Sequence, residues 1–418
     1  MNVIKRDGRK VEFDREKIKR AVLAAFSEVD GRESPAAKIK AGEIARYVES
    51  LGKDMSVEEI QDIVEDKLMS SHRKDVAKAY VVYRNTRSRI RDRNSAWMKA
   101  IKEKLSASNV QNQNANVDEH SFGGRKGEAD AELTKKLALD DYMSEMSRNN
   151  HLNNEIYIHD LDSYVVGMHN CLTVPFDKLL ANGFNTRQTD VRPAQSINTA
   201  FQLVAVIFQL QSLQQFGGVS ASHLDWTMVP YVRKSFWKHY KDGYKYLADE
   251  NHAIWFESNG GLLPIEATEY KENEKVYEYA LDMTTKEVYQ AVEGMYHNLN
   301  TLQSRSGNQL PFTSINYGTC IAPEGRLVTK AILDVSIKGI GKLHKTPIFP
   351  CGIFQYMKGV NDKPGTPNYD LYQLALESTA KRLYPNYANV DWSGNAGYDR
   401  NDPKTYFSTM GKRKLQLM

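Results

Sequence analysis

The sequence predicts two architectures in series: an α+β module of about 90 residues in which a β-hairpin caps a helical bundle, then an α/β region where helices alternate with single strands. Three observations carry this reading. Charged and apolar residues alternate on either side of an Asp7-Gly8 turn near the start. Helix-start signals with apolar residues at 3.6-residue spacing follow at once. Beyond residue 130, long helical patterns are separated by short apolar runs.

The hairpin spans Asn2–Phe13, with Val3 and Ile4 before the turn and Val11–Phe13 after it. Asp14 can cap a helix carrying Ile18, Val22, Leu23 and Phe26. Ser56 can cap another, and Glu59 three residues later completes a capping box ahead of Ile60, Val64 and Leu68. A third helix, from Lys74 to Arg91, presents Val76, Tyr80 and Tyr83 on one face. A run of Arg84, Arg87, Arg89, Arg91 and Arg93 closes it and leads into Ser106–Gly127, which is rich in Asn, Ser and Gly and reads as a linker or junction loop. Helical patterns then cover Asp130–Arg148, Ser196–Gln215 and Lys286–Leu302. Strands are expected at Glu155–His159, Phe312–Asn316 and Pro347–Phe354. Gly217-Gly218 reads as the C-cap of the apolar helix that runs through Ala200–Val219.

Hydrophobic residues make up 41% and charged residues 26% of the 418, which fits a globular chain and excludes a disordered one. The basic excess is N-terminal: residues 1–93 hold 22 Lys and Arg against 17 Asp and Glu, and the rest hold 34 against 35. That balance suits a domain meeting nucleotide phosphates and is equally that of a solvated surface. Three cysteines, Cys171, Cys320 and Cys351, with no CxxC pair, encode neither a disulfide framework nor a thiolate zinc site, and a reducing compartment is expected. The opening MNVIKRDGRK has no apolar signal core, and the apolar run near Phe201–Phe208 is broken by Gln202 and too short to span a bilayer. A cytoplasmic chain without membrane or nucleic-acid partners is expected.

Val3-Ile4-Lys5-Arg6-Asp7-Gly8, followed by Phe13-Asp14 and Lys17-Ile18, resembles the opening of the ATP-cone, the nucleotide-sensing module of ribonucleotide reductases. The resemblance covers residues 1–93 and implies a site for ATP or dATP that uses Val3, Lys5, Arg6 and Lys17. Lysine and arginine supply point and forked positive charge for a triphosphate, and a glycine at position 8 permits the tight turn that gathers them.

A second set of strings is independent of the first. Asn116-Val117-Asp118, Ser121-Phe122-Gly123-Gly124-Arg125, Ile158-His159-Asp160, Met168-His169-Asn170-Cys171, Gln215-Phe216-Gly217-Gly218, Asn298-Leu299-Asn300, Ser304-Arg305-Ser306-Gly307-Asn308-Gln309-Leu310-Pro311-Phe312 and Asn368-Tyr369-Asp370 together resemble the class III anaerobic ribonucleotide reductases, in order, as far as Met410. The resemblance implies the first half of a ten-stranded α/β barrel of the glycyl-radical type. It divides the chain into a cone at 1–93, a junction at 94–129, a half-barrel at 130–411 and a tail at 412–418.

In that family a thiyl radical removes the ribose 3′ hydrogen, the 2′ hydroxyl leaves as water, and a second cysteine on the opposite face of the sugar takes part in the replacement. Cys171 matches the second cysteine. Its weak S–H bond suits hydrogen donation, although a lone cysteine outside such a motif is most often a small buried apolar residue. His159 either meets the substrate and moves a proton or forms a structural pair with Asp160. Asn170, Gln309 and Asn316 are neutral groups able to hold a nucleotide or to satisfy backbone groups. Cys320 and Cys351 read as structural. Resemblance also places the 200–219 neighbourhood close to a dimer interface and an effector site.

One departure stands out. The family's finger-loop motif is Thr-Met-Gly-Cys-Arg, whose Cys bears the radical, whereas this sequence reads Thr409-Met410-Gly411-Lys412-Arg413. Lysine has no S–H bond to yield that radical. The family's four-cysteine zinc site and glycyl-radical loop are absent from this chain, so an interrupted or frameshifted coding sequence is expected. The implied partners are ribonucleoside triphosphates, a radical S-adenosylmethionine activating enzyme, and a second copy or a complementing C-terminal half. A truncated chain would be inactive alone, and its alternative role is that of a nucleotide-sensing or partner-binding fragment without catalysis.

Overall fold

A computed structural model describes residues 1–6, 8–93, 95–106, 117, 120–167, 169–248, 263–305, 308–395 and 398–409. The chain forms two compact units, Met1–Lys102 and Glu103–Met418.

In the first unit, β1 (Asn2–Ile4) pairs antiparallel with β2 (Lys10–Glu12), Val3 opposite Val11. Gly8, with φ of 80°, takes the left-handed position that a side chain would disfavour; Asp7 lies outside the described residues. Asp14 caps α1 (Arg15–Asp30) by accepting from the Glu16 amide, and Gly31 ends it in the left-handed conformation. Ser34 caps α2 (Pro35–Ser50). A strand not expected from the sequence, β3 (Met55–Ser56), pairs parallel with β1. It is two residues long, too short for alternation to register. The capping box of α3 (Val57–Met69) is complete: Ser56 Oγ accepts from the Glu59 amide at 3.1 Å and Glu59 Oε2 from the Ser56 amide at 2.7 Å. In α4 (Lys74–Arg93), Val76 and Tyr80 are buried, whereas Tyr83, expected on the same face, is exposed and accepts from Arg87.

From α5 (Ala96–Ser106) the chain continues to α6 (Phe122–Leu137). The expected junction at Ser106–Gly127 therefore ends in helix: Ser121 Oγ accepts from the Gly124 amide, which starts α6 inside the polar stretch. Residues 107–116, 118 and 119 lie outside the described set. The single helix expected at Asp130–Arg148 is interrupted. A π-helical turn at Ala138–Tyr142 and an extended Met143 separate α6 from α7 (Glu145–Leu152), whose own cap is Ser144.

The expected strand at Glu155–His159 is not one. Those residues form turns ending at Asp160, whose φ is 52°. Their apolar members, Ile156 and Tyr157, are exposed and meet no neighbouring strand.

Five strands make the sheet of the second unit: β4 (Leu172–Thr173), β7 (Val219–Ala221), β8 (Thr313–Tyr317), β9 (Cys351–Tyr356) and β10 (Asn386–Asn389). Their order is β10-β9-β8-β7-β4 and every pairing is parallel. A separate hairpin, β5 (Phe184–Asn185) with β6 (Asp190–Val191), follows α8 (Phe176–Asn182). Each crossover is helical, as parallel strands require: α9 (Ile197–Ser212), α10 (Leu224–Leu247) with α11 (Glu274–Thr301), α12 (Pro323–Lys338) and α13 (Tyr369–Arg382). Their apolar faces and one face of the sheet form a core around Phe201, Phe208, Phe236, Ile315 and Phe354. Each such buried side chain stabilises the fold by about 1.5–3 kcal/mol relative to exposure. The C-cap of α9 is Leu213, not the glycine pair at 217–218, because the helix stops four residues before Gly217.

Candidate functional site

In an all-parallel sheet covered on both faces the strands are expected to be nearly continuous in apolar residues. Here one face is polar. Ser220, Ser314, Asn316 and Gln355 are all buried. The registers Thr173–Ser220–Ser314–Cys351 and Asn316–Ile353, together with the two-residue pleat, put their side chains on the face away from the helices.

The segment Phe407–Thr409 lies against this face. Asn316 Nδ2 donates to the Thr409 carbonyl at 3.0 Å and its Oδ1 accepts from the Thr409 amide at 3.2 Å. Gln355 Nε2 donates to the Phe407 carbonyl at 3.2 Å. Lys404 Nζ adds an ion pair to Asp177 Oδ2 at 2.9 Å. Asn316, which the sequence offered as a nucleotide ligand, spends its amide on Thr409, Ser220 and the Ala221 carbonyl. Met410–Met418, with Lys412, lies outside the described residues.

Cys171 directly precedes β4. Leu172 packs toward the helical core, so the alternation gives Cys171 to the polar face along with Thr173. Its thiol is half-buried. It donates to Asn170 Oδ1 at 3.3 Å and accepts from the Gly218 amide at 3.2 Å. A set of clamps around it had no signal in sequence spacing. Gln215 Nε2 donates to the Asn170 carbonyl at 3.1 Å and to the Gly218 carbonyl at 2.8 Å. Arg305 donates to the carbonyls of Gly217, at 2.8 Å, and Phe216, and stacks 4.0 Å over the Phe312 ring. Burial draws the Arg305 guanidinium below its usual range, and Asp160, Cys171 and Asp162 oppose that shift. Gly217 has no room for a side chain: a Cβ there would stand 2.0 Å from the Asn170 carbonyl oxygen.

His159 is exposed and its Nδ1 pairs with Asp160. No hydrogen bond joins it to Cys171 or Asn170 among the described residues, and it stands on the turn rather than on a strand. Gln309 sits instead in a cleft of about 410 Å³ with Arg305, Asp162, Asp130 and Glu128. That wall carries more carboxylates than cations, and Glu128 is held by Lys104 at 2.8 Å. The structure thus joins Asn170 to Cys171 by a hydrogen bond, and it joins neither His159 nor Gln309 to that thiol by one among the described residues.

In the first unit a cavity of about 160 Å³ opens between the hairpin and the helices. Val3, Lys5 and Lys17 line it, over a floor of Phe13, Ile60, Val64 and Tyr80. Burial pushes the Tyr80 hydroxyl up to about 12, so it stays neutral. Arg6 is not in this cavity. It lines a neighbouring hollow of about 400 Å³ with Glu58, Gln61, Glu65 and Arg84. Gln61 belongs to both. No spacing or motif singles out Gln61 or Arg84, since each is one polar residue among many on its helix.

Two family models match: anaerobic ribonucleoside-triphosphate reductase over residues 113–415, and the ATP cone domain over residues 1–89. The chain belongs to the anaerobic ribonucleoside-triphosphate reductase family. The reductase of that name from Haemophilus influenzae is 32% identical over 393 residues, covering 93% of this chain and 52% of that protein. The Escherichia coli enzyme is 30% identical over the same length, covering 93% and 51%. The chain therefore spans about half the length of the curated relatives it matches. Among solved structures, the anaerobic ribonucleotide reductase of Thermotoga maritima aligns with a TM-score of 0.45 at 14% identity, covering 74% of this chain and 50% of that one.

A four-cysteine zinc site like the family's does not fit these residues. The chain holds three cysteines. Cys320 is fully buried, its thiol pushed far above the usual range by burial. Among the described residues no three His, Cys, Asp or Glu side chains converge on a metal position. Nor, among them, is any helix long and apolar enough to cross a membrane.

Proposed function

We propose that this chain senses ATP and dATP through its cone and carries the hydrogen-donating side of an anaerobic ribonucleoside-triphosphate reductase site, its five parallel strands forming half of a ten-stranded barrel. The observation that carries the reading is the Cys171 thiol, held on the polar sheet face between Asn170 Oδ1 and the Gly218 amide. The reaction replaces a ribose 2′ hydroxyl with hydrogen and releases water. A thiol held by neutral partners can deliver a hydrogen atom to that carbon, and the sulfur radical it leaves is restored by an external reductant, formate or a dithiol, which supplies the two electrons of the net reduction. The inner strand face is lined by neutral hydroxyls and amides, which can hold a sugar without competing for its protons. A glycyl radical and its activating enzyme supply the radical in the family. Cys171 and Asn170 are assigned to the sugar, His159 and Gln309 to more distant contacts with the nucleotide, and Val3, Lys5, Arg6 and Lys17 to the effector.

Calorimetric titration of the full chain with ATP and dATP tests the cone: saturable heat is expected, and its absence for both nucleotides refutes that half. The catalytic half is tested by mixing the chain with a separately produced C-terminal half carrying the family's finger-loop cysteine, an activating enzyme with its electron donor, S-adenosylmethionine, a ribonucleoside triphosphate and a two-electron reductant, formate in one arm and a reduced thioredoxin-like dithiol in the other. Deoxyribonucleotide should form with Cys171 present and not with Cys171→Ala. Lys412, at the position of the family's radical cysteine, favours a second reading in which the chain is a nucleotide-sensing fragment without catalysis. Nucleotide binding with no product in the mixture is its signature.

A further inference from the structure

Arg6 and Arg84, the two cations that line the larger hollow of the cone, are already engaged. Arg6 Nε is ion-paired with Glu58. Arg84 Nη1 lies 2.6 Å from Asp62 Oδ1 and 2.9 Å from Glu65 Oε2. Glu58, Asp62 and Glu65 follow one another at four and three residues along α3, so they form a single acidic stripe. Glu58 and Glu65 line the same hollow as Arg6 and Arg84, and Gln61, between them in sequence, also lines the cavity that holds Lys5 and Lys17.

We propose that Glu58 and Glu65 compete with a nucleotide's phosphates for Arg6 and Arg84, so that the stripe sets affinity by the number of phosphates the ligand carries. This rests on the nucleotide-binding reading above. A phosphate group entering the hollow must displace these carboxylates from Arg6 and Arg84 and then remain beside them. The Arg6–Glu58 pair gives way easily, because it is 42% and 46% exposed and pairs so placed are weak, whereas the Arg84–Glu65 pair, 26% and 28% exposed, gives way less readily. The residual repulsion is Coulombic and grows with the charge brought in. A triphosphate offers enough charge to win both arginines. A monophosphate meets the same carboxylates with less to offer, and adenosine, which needs only the apolar cavity, is indifferent to them.

The experiment is calorimetry on the full chain with ATP, ADP, AMP and adenosine, comparing the unaltered protein with Glu58→Gln and Glu65→Gln. Glu49→Gln serves as control, since Glu49 pairs with Arg15 at 3.1 Å and lines neither hollow. Thermal melts check that each variant folds. Glu65→Gln guards against a local effect of Glu58→Gln, because Glu58 lies in the first turn of α3. Each Gln variant should tighten ATP about threefold, ADP less and adenosine not at all. The gain should shrink as salt is raised, and the control should bind like the unaltered chain. Unchanged or weaker ATP binding in both variants overturns the inference while leaving the nucleotide reading intact, and so does equal tightening of adenosine. If no nucleotide binds the unaltered chain or either variant, the nucleotide reading itself falls and takes this one with it.

Discussion

Gly217→Ala is the sharpest probe of how Cys171 is held. The added methyl carbon would lie 2.0 Å from the Asn170 carbonyl oxygen, 2.2 Å from its carbon and 2.3 Å from Asn170 Oδ1. Ordinary contact needs roughly 3.4 Å or more, so the Asn170–Cys171 backbone must retreat by about 1 Å or more. The backbone at 217 is not in the left-handed region, so the penalty is steric rather than conformational. Retreat breaks the 3.2 Å bond from the Gly218 amide to the Cys171 sulfur and the 3.1 Å bond from Gln215 to the Asn170 carbonyl. Two such bonds at about 0.5–1.5 kcal/mol each, added to overpacking of about 1–3 kcal/mol, give a loss of about 2–6 kcal/mol. Urea unfolding followed by tryptophan fluorescence reads it, because four of the five tryptophans lie beyond residue 102, in the second unit. Alkylation of Cys171, resolved from Cys351 by peptide mapping, should speed up in the variant. An unchanged midpoint together with an unchanged alkylation rate would refute the close-approach argument.

Three further outcomes follow from the same contacts. Asn316→Ala should free the Phe407–Thr409 segment by about 2 kcal/mol, since a half-buried amide and carbonyl lose their partner; hydrogen exchange at the Thr409 amide measures it, and unchanged protection speaks against the anchor. Burial holds the His223 imidazole below its ordinary value of 6.5, with Asp177 opposing and Lys404 reinforcing the shift. The unfolded chain then takes up a proton that the folded one refuses, so stability is full above pH 6.5 and declines as pH falls below it; His223→Gln should flatten that decline, and an identical pH profile would dismiss the assignment. Ser56→Ala removes one arm of the capping box and should cost the cone about 1 kcal/mol, read by helical circular dichroism of a thermal melt, whereas a cost near zero would mean that Glu59 alone sustains the cap.

The comparison of sequence with structure divides along the range of the interactions. The Asn2–Phe13 hairpin, the caps at Asp14 and Ser56, the helix from Ile197 and the strand from Thr313 were legible because each is written in neighbours a few residues apart. The turn before Asp160 was misread because Ile156 and Tyr157 look like a strand locally and find no partner strand in space. Within the candidate site, Cys171 and Asn170 came from their motif, as did Lys5 and Lys17. The grip of Gln215, the reach of Arg305 over 88 residues to Gly217, and the pairing of Arg6 with Glu58 had no local signature.

By itself the sequence determined the family, the helix starts, and which residues carry sulfur and charge. Tertiary structure alone decided the strand order, the polar face that takes Cys171 and Thr409 on one side, and the clamps that Gln215 and Arg305 place on the loop before that cysteine. The physical reason is that a cap or a turn is satisfied by atoms the chain brings along locally, whereas a sheet face exists only once strands far apart in sequence have chosen their register.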